Sequence, residues 1–163
     1  MLIRGYHPDD LAAVHAINQN EVPAVGSETV GALGRIAEQS VISLVAADDT
    51  GRIGGFCMVL APGADYASGN YRWFSDRYTD FVYLDRVAIA PSFRRRGLGR
   101  RLYDEVEQLA GERCPAATDF CLEVNLRPRN DISLAFHAEL GFVEVGQRET
   151  DYGALVSLMT KTL

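Results

Sequence analysis

Cysteine is scarce and irregularly placed, with only Cys57, Cys114 and Cys121 in 163 residues. An odd count, no repeated spacing and no neighbouring histidine exclude a disulfide framework and a zinc site, so no metal is expected. Buried free thiols in a reducing cytoplasm are the expectation. No stretch is long and apolar enough to span a membrane, and no leader, repeat or low-complexity tract is visible. No membrane partner is therefore expected. Positive charge is also short, with 16 Lys and Arg against 22 Asp and Glu, a formal net charge of −6. That balance disfavours a nucleic-acid partner and would suit a cationic amine. Two common phosphate-binding signatures are missing. No Gly-Lys-Ser/Thr triplet occurs, and Leu102 stands where G-x-G-x-x-G needs its third glycine.

What is present centres on Phe81 to Ala110. The chain is 47% hydrophobic, which suits one globular domain over residues 1–163. Phe81, Tyr83, Val87 and Ile89 mark a strand that Pro91 stops. Leu98, Leu102, Tyr103, Val106, Leu109 and Ala110 recur at helical spacing. Between them run Arg94, Arg95, Arg96, Gly97, Leu98, Gly99, Arg100 and Arg101. A helix start favours acidic residues, yet five arginines crowd this one. A bound anion offsets that cost, because backbone N–H groups and the helix dipole hold phosphate, glycine permits close approach, and arginine adds charge-assisted bonds. The competing reading is a solvated arginine face or a nucleic-acid patch.

Val87-Ala88-Ile89-Ala90-Pro91, followed by Arg94, Gly97 and Gly99, resembles the V-x-I/V-x-P…R/Q-x-x-G-x-G/A core of the GNAT acetyltransferase superfamily. A second match follows downstream. Asn130, Ser133, Phe136, Gly141 and Phe142 fit N-x-x-A/S-x-x-L/F-Y-x-x-x-G-F, while His137 replaces the usual tyrosine. Histidine there resembles the phosphinothricin-acetyltransferase-like branch, which acetylates small amino-acid amines. The resemblance spans about two thirds of the chain.

The rest reads in order. Leu2 to Arg4 is a short strand, and Pro8-Asp9-Asp10 opens a helix carrying Leu11, Val14 and Ile17. Ser27 is the expected N-cap of a second helix from Glu28 to Gln39. Val41 to Ala47 and Ile53 to Leu60 form a hairpin, with Gly54-Gly55 marking a bulge or a close approach. Ala61 to Asp80 is a long connection rich in aromatics. Its Trp73 and Phe74, with Tyr83 on the following strand, are expected to wall the acceptor pocket; the alternative is that the first two cover the core edge. Thr118 to Asn125 is a strand, Asn130 caps a helix that Gly141 ends, and Phe142 to Gln147 pairs with Ala154 to Thr160. The element order is βααβββαβαββ, and the resemblance implies an α/β (α+β) fold, a twisted, mostly antiparallel mixed sheet of six to seven strands with helices on both faces.

The resemblance implies acetyl-CoA as cofactor. Its pantetheine arm would meet Val87, Ala88 and Ile89, its pyrophosphate the N–H groups from Arg95 to Arg100, and Asn130, Ser133 and Phe136 would lie nearby. It also implies direct transfer, which suits cysteines that sit beside no base. The acceptor amine, with a pKa of roughly 10.4, must lose a proton first. Asp85 is the first candidate base and Glu123 the second; the competing reading of each is a structural ion pair or a solvated edge, and Arg86 could neutralise Asp85, although strand neighbours point to opposite faces. His137 would protonate the departing thiolate; the competing reading is a packed helix histidine beside Phe136 and Leu140. The expected acceptor is a small-molecule amine or amino acid, with a homodimer left open. The rivals are a protein N-terminal or lysine acetyltransferase and a non-catalytic acyl-CoA-binding module.

Overall fold

The computed structural model describes residues 1–163. One seven-stranded sheet runs through the molecule in the order β1-β2-β3-β4-β5-β7-β6. The strands are β1 (Leu2–Gly5), β2 (Ile42–Ala47), β3 (Ile53–Leu60), β4 (Phe81–Ile89), β5 (Asp119–Arg127), β6 (Val143–Glu149) and β7 (Leu155–Thr162). All pairings are antiparallel except β4 with β5. The helices are α1 (Leu11–Asn20), α2 (Val30–Gln39), α3 (Gly69–Ser75), α4 (Leu98–Arg113) and α5 (Asp131–Glu139). No helix is long and apolar enough to cross a membrane.

Helices cover both faces, each through an apolar stripe. Val14, Ile17, Leu33 and Ile36 of α1 and α2 pack on Val45, Phe56, Met58 and Ala88. On the other face Leu98, Leu102, Tyr103, Val106 and Ala110 of α4 pack on Leu44, Val82, Leu84, Phe120 and Leu122. Gly54 serves both of its expected roles. It is the extra residue between the pairs Ala46–Gly55 and Ala47–Ile53, and a Cβ there would fall 2.2 Å from the Phe93 ring. Phe93, in the short turn Pro91–Phe93 after β4, is thereby seated in the core and anchors the arginine-rich segment.

Two local expectations are corrected. Thr29, not Ser27, caps α2, accepting from the Ala32 N–H at 3.1 Å, while the Ser27 hydroxyl accepts from Gln19. The Ala61–Asp80 connection contains α3, capped by Ser68. Its Tyr71 and Phe74 are buried against Phe81, Tyr83, Val156 and Leu158.

Two features of β4 place the site. Its pairing with β5 stops early: Phe81, Val82 and Tyr83 oppose Asp119, Phe120 and Cys121, and beyond that the strands separate. Its register against β3 also slips, since Leu84 opposes Val59 and Arg86 opposes Met58, which leaves Asp85 as a bulge residue. A bulge overrides the alternation of faces that strand neighbours normally obey.

Candidate active site

A cleft of about 730 Å³ opens where β4 and β5 part. Its walls include Val87, Ala88 and Ile89 from β4, the turn residues Arg94, Arg95, Gly97, Leu98, Gly99 and Arg100, and Asn130, Ser133, Phe136 and His137 around α5. The turn is shaped for an anion. Arg95 and Gly97 both adopt left-handed φ, 59° and 70°, and no side chain caps α4. The N–H groups of Gly97, Leu98, Gly99 and Arg100 find no acceptor within the chain, and no acid stands in the first turn. Consecutive free N–H groups in such a nest, at a helix N-terminus, bind phosphate. A Cβ on Gly99 would come within 3.2 Å of Phe136, so glycine lets α4 meet α5 closely.

The arginines divide the work. Arg95 and Arg100 line the cleft. Arg94 also lines it, but its guanidinium pairs with Glu21 and its Nε donates to the Ile89 carbonyl at 3.0 Å. Arg96 lies over the Phe93 ring, outside the lining. Asn130 is an N-cap, accepting from the Ser133 N–H at 3.1 Å.

A second cleft of about 750 Å³ lies behind the first, between α2, the 65–70 segment and the β6–β7 turn. Asp85, Glu123, Gly26 and Tyr152 line both clefts. The two carboxylates therefore stand at the junction. Asp85 is held by Arg86, whose Nε donates to Asp85 Oδ2 at 3.0 Å, and the bulge is what puts these sequence neighbours together. Arg86 also reaches Glu28 at 2.8 Å, Asn18 Oδ1 at 3.0 Å and the Gly26 carbonyl at 2.7 Å. Burial pushes the Asp85 carboxyl up, and Arg86 opposes that. Glu123 has no cation at contact distance. Burial pushes its carboxyl up to about 7, against a hydrogen bond from Tyr83 at 2.6 Å that favours the ionised form. Tyr83 itself is fully buried, so it meets the site through Glu123 rather than as a pocket wall.

His137 lies beside the first cleft with both ring nitrogens engaged. Nδ1 is 2.7 Å from the Ser133 carbonyl, which can only accept, so Nδ1 carries the proton. Nε2 is then the acceptor for the Tyr103 hydroxyl at 2.6 Å. Burial lowers the ring's pKa below 6.5, which keeps it neutral. No N–H is left to aim at a sulfur, contrary to the donor role expected for it. Trp73 and Phe74 are placed elsewhere than expected, lining neither cleft. Trp73 covers Gly146 of β6, with Arg77 stacked on it, and Phe74 is fully buried in the core.

Sequence reading missed Tyr152 and the path of the 21–26 loop across the site. The loop crosses the gap, tied by Asn125 Nδ2 donating to the Pro23 carbonyl at 2.9 Å and by Arg86 at Gly26. No periodicity signals such a crossing.

A mixed sheet split beside a turn of free N–H groups, with buried carboxylates where two clefts meet, is suited to bringing a phosphorylated cofactor to a second substrate. Residues 12–142 match the acetyltransferase (GNAT) family, and the chain belongs to it, with acetyl-CoA as its cofactor. Similar solved structures agree on the fold. Ard1 from Thermoplasma volcanium is 20% identical, with a TM-score of 0.80, over 99% of this chain and 97% of that one. The ribosomal-protein-S18-alanine N-acetyltransferase from Escherichia coli is 20% identical, with a TM-score of 0.72, over 99% and 92%. NAA60 from Arabidopsis thaliana in complex with acetyl-CoA is 17% identical, with a TM-score of 0.77, over 99% and 99%. No curated protein matches the chain.

Proposed function

We propose that the chain transfers the acetyl group of acetyl-CoA directly to the primary amine of a small molecule, with Glu123 as general base. The observation that carries this reading is Glu123 at the junction of the clefts, with its carboxyl pushed up to about 7. A base with that pKa is substantially ionised at neutral pH and still able to take a proton from an ammonium. Asp85 is committed to Arg86 and acts as the fixed charge beside it. The turn at Gly97–Arg100 holds the phosphates, and Val87 to Ile89 with Asn130, Ser133 and Phe136 flank the arm.

Acetyl-CoA supplies a thioester carbonyl to the amine. Direct attack is supported by the thiols. Cys57 and Cys121 are buried and pushed up to about 12, and no cysteine lines either cleft. Such thiols also suit a reducing compartment such as the cytoplasm. A protein α-amine is the second reading, favoured by the acceptor named for the Escherichia coli enzyme. Release of coenzyme A from acetyl-CoA in the presence of small amines and of peptides tests both. Tight acetyl-CoA binding without release on any amine would leave a binding module instead.

A further inference from the structure

The second cleft is polar, and its charges are unevenly spent. Three arginines face it: Arg35, Arg86 and Arg148. Arg86 is buried and consumed by Asp85 and Glu28. Arg148 donates to Asn70 Oδ1 at 2.9 Å, and its other nitrogen makes only a loose 3.4 Å contact with Asp151, an almost fully exposed acid. Arg35, exposed on α2, has no hydrogen-bond or ion-pair partner. The inner end of the same cleft presents the carboxylates of Asp85 and Glu123.

We propose that this cleft takes an amine that also bears a carboxylate, an amino acid, with Arg35 and Arg148 reading the carboxylate while the amine points to Glu123. This rests on the acetyl-transfer reading above. The physical ground is charge complementarity. An ammonium is drawn to the inner carboxylates, and a guanidinium fork binds a carboxylate with paired, charge-assisted bonds. An incoming carboxylate can displace the exposed Asp151 from Arg148, because a loose surface pair is worth little. Asp65 and Asp151 share the cleft and disfavour acceptors with several negative groups. One amine beside one carboxylate is the pattern that remains.

The test is acetyl transfer to free amino acids, each paired with the amine lacking its carboxylate, and to short peptides with blocked C-termini. Wild type should favour the amino acid over its matched amine by about tenfold or more in kcat/KM. Arg35→Gln and Arg148→Gln should each shrink that preference by about fivefold. Arg35→Gln removes no hydrogen bond or ion pair within the protein and changes an exposed helix position, so the fold should be kept. Equal use of matched pairs, an unaltered preference in Arg35→Gln, or better use of the blocked peptides would overturn the assignment. Absence of turnover on every acceptor, with acetyl-CoA still bound, would overturn the transfer reading itself.

Discussion

The Tyr83 hydroxyl donates to Glu123 Oε2 across 2.6 Å, just beyond the last backbone pair joining β4 to β5. The bond bridges the strands where they begin to part, and it holds the carboxylate at the junction of the clefts. Removing that carboxylate should remove the base. Glu123→Gln should lower kcat/KM by about a hundredfold or more at neutral pH. In wild type the rate should rise with pH through about 7, as Glu123 ionises. That limb should vanish in the glutamine variant, leaving only the rise due to the acceptor's own amine. A pH–rate profile that keeps the limb would assign the base to another group.

Tyr83→Phe tests the same bond with a definite sign. The hydroxyl stabilises the ionised carboxylate, so its loss raises the Glu123 pKa further. The acid limb should move to higher pH, with activity at high pH largely kept. A limb that stays in place or moves down would mean that the hydroxyl does not set the charge state.

Gly97 can be probed cleanly, because nothing lies within 4 Å of the position a Cβ would take. Gly97→Ala tests the left-handed backbone, which costs roughly 1–2 kcal/mol for a residue with a side chain. Gly97→Asp adds a negative charge to the phosphate nest. Calorimetry should show acetyl-CoA affinity falling far more for aspartate than for alanine, by about a hundredfold against wild type. Gly99 gives a less clear test, since any side chain there meets Phe136. Equal affinities in the two Gly97 variants would separate the nest from the phosphates.

Trp73→Ala should act on stability, not on the acceptor. Trp73 fills the space over Gly146, where a Cβ would come within 2.8 Å of the indole. Its loss should cost about 2–4 kcal/mol in denaturant unfolding, with the acceptor KM unchanged. A raised KM in a folded variant of normal stability would return Trp73 to the acceptor side.

The β4–turn–α4 unit was legible because its chemistry is local. Arginines and glycines at a helix start carry a cost that only an anion explains, and the strand, turn and helix are contiguous. The helix α3 was less legible, although Ser68 with Tyr71 and Phe74 three apart offered a signal: seven residues barely establish a period. Adjacency suggests that Arg86 could neutralise Asp85 and strand alternation speaks against it; the bulge that brings them together is a property of register between strands, not of one strand's pattern. The second cleft was equally hidden, since α2, the 65–70 segment and the β6–β7 turn meet only in the folded chain.

His137 shows how a position can match a family while its chemistry does not. A proton donor to the departing thiolate needs an N–H facing the cleft. Here the Nδ1 proton is held by the Ser133 carbonyl and Nε2 receives the Tyr103 hydroxyl. Three aromatic rings pack edge-on around the imidazole, from Tyr103, Phe136 and Phe142. The ring's main work is to accept from Tyr103, a buried hydroxyl that would otherwise lack a partner. His137→Ala should therefore destabilise the fold by about 1–3 kcal/mol through that orphaned hydroxyl, before any cavity cost. His137→Gln, which can still accept a hydrogen bond, should recover part of the loss and keep kcat within about threefold. The sign with pH is fixed too. The folded ring refuses a proton that the unfolded chain takes below 6.5, so this histidine's contribution to stability falls as pH drops from there towards its lowered folded value. The difference between wild type and His137→Gln isolates that dependence from the buried carboxylates, whose raised pKa values act in the opposite sense. A tenfold loss of kcat in a stable glutamine variant would restore the imidazole as the donor.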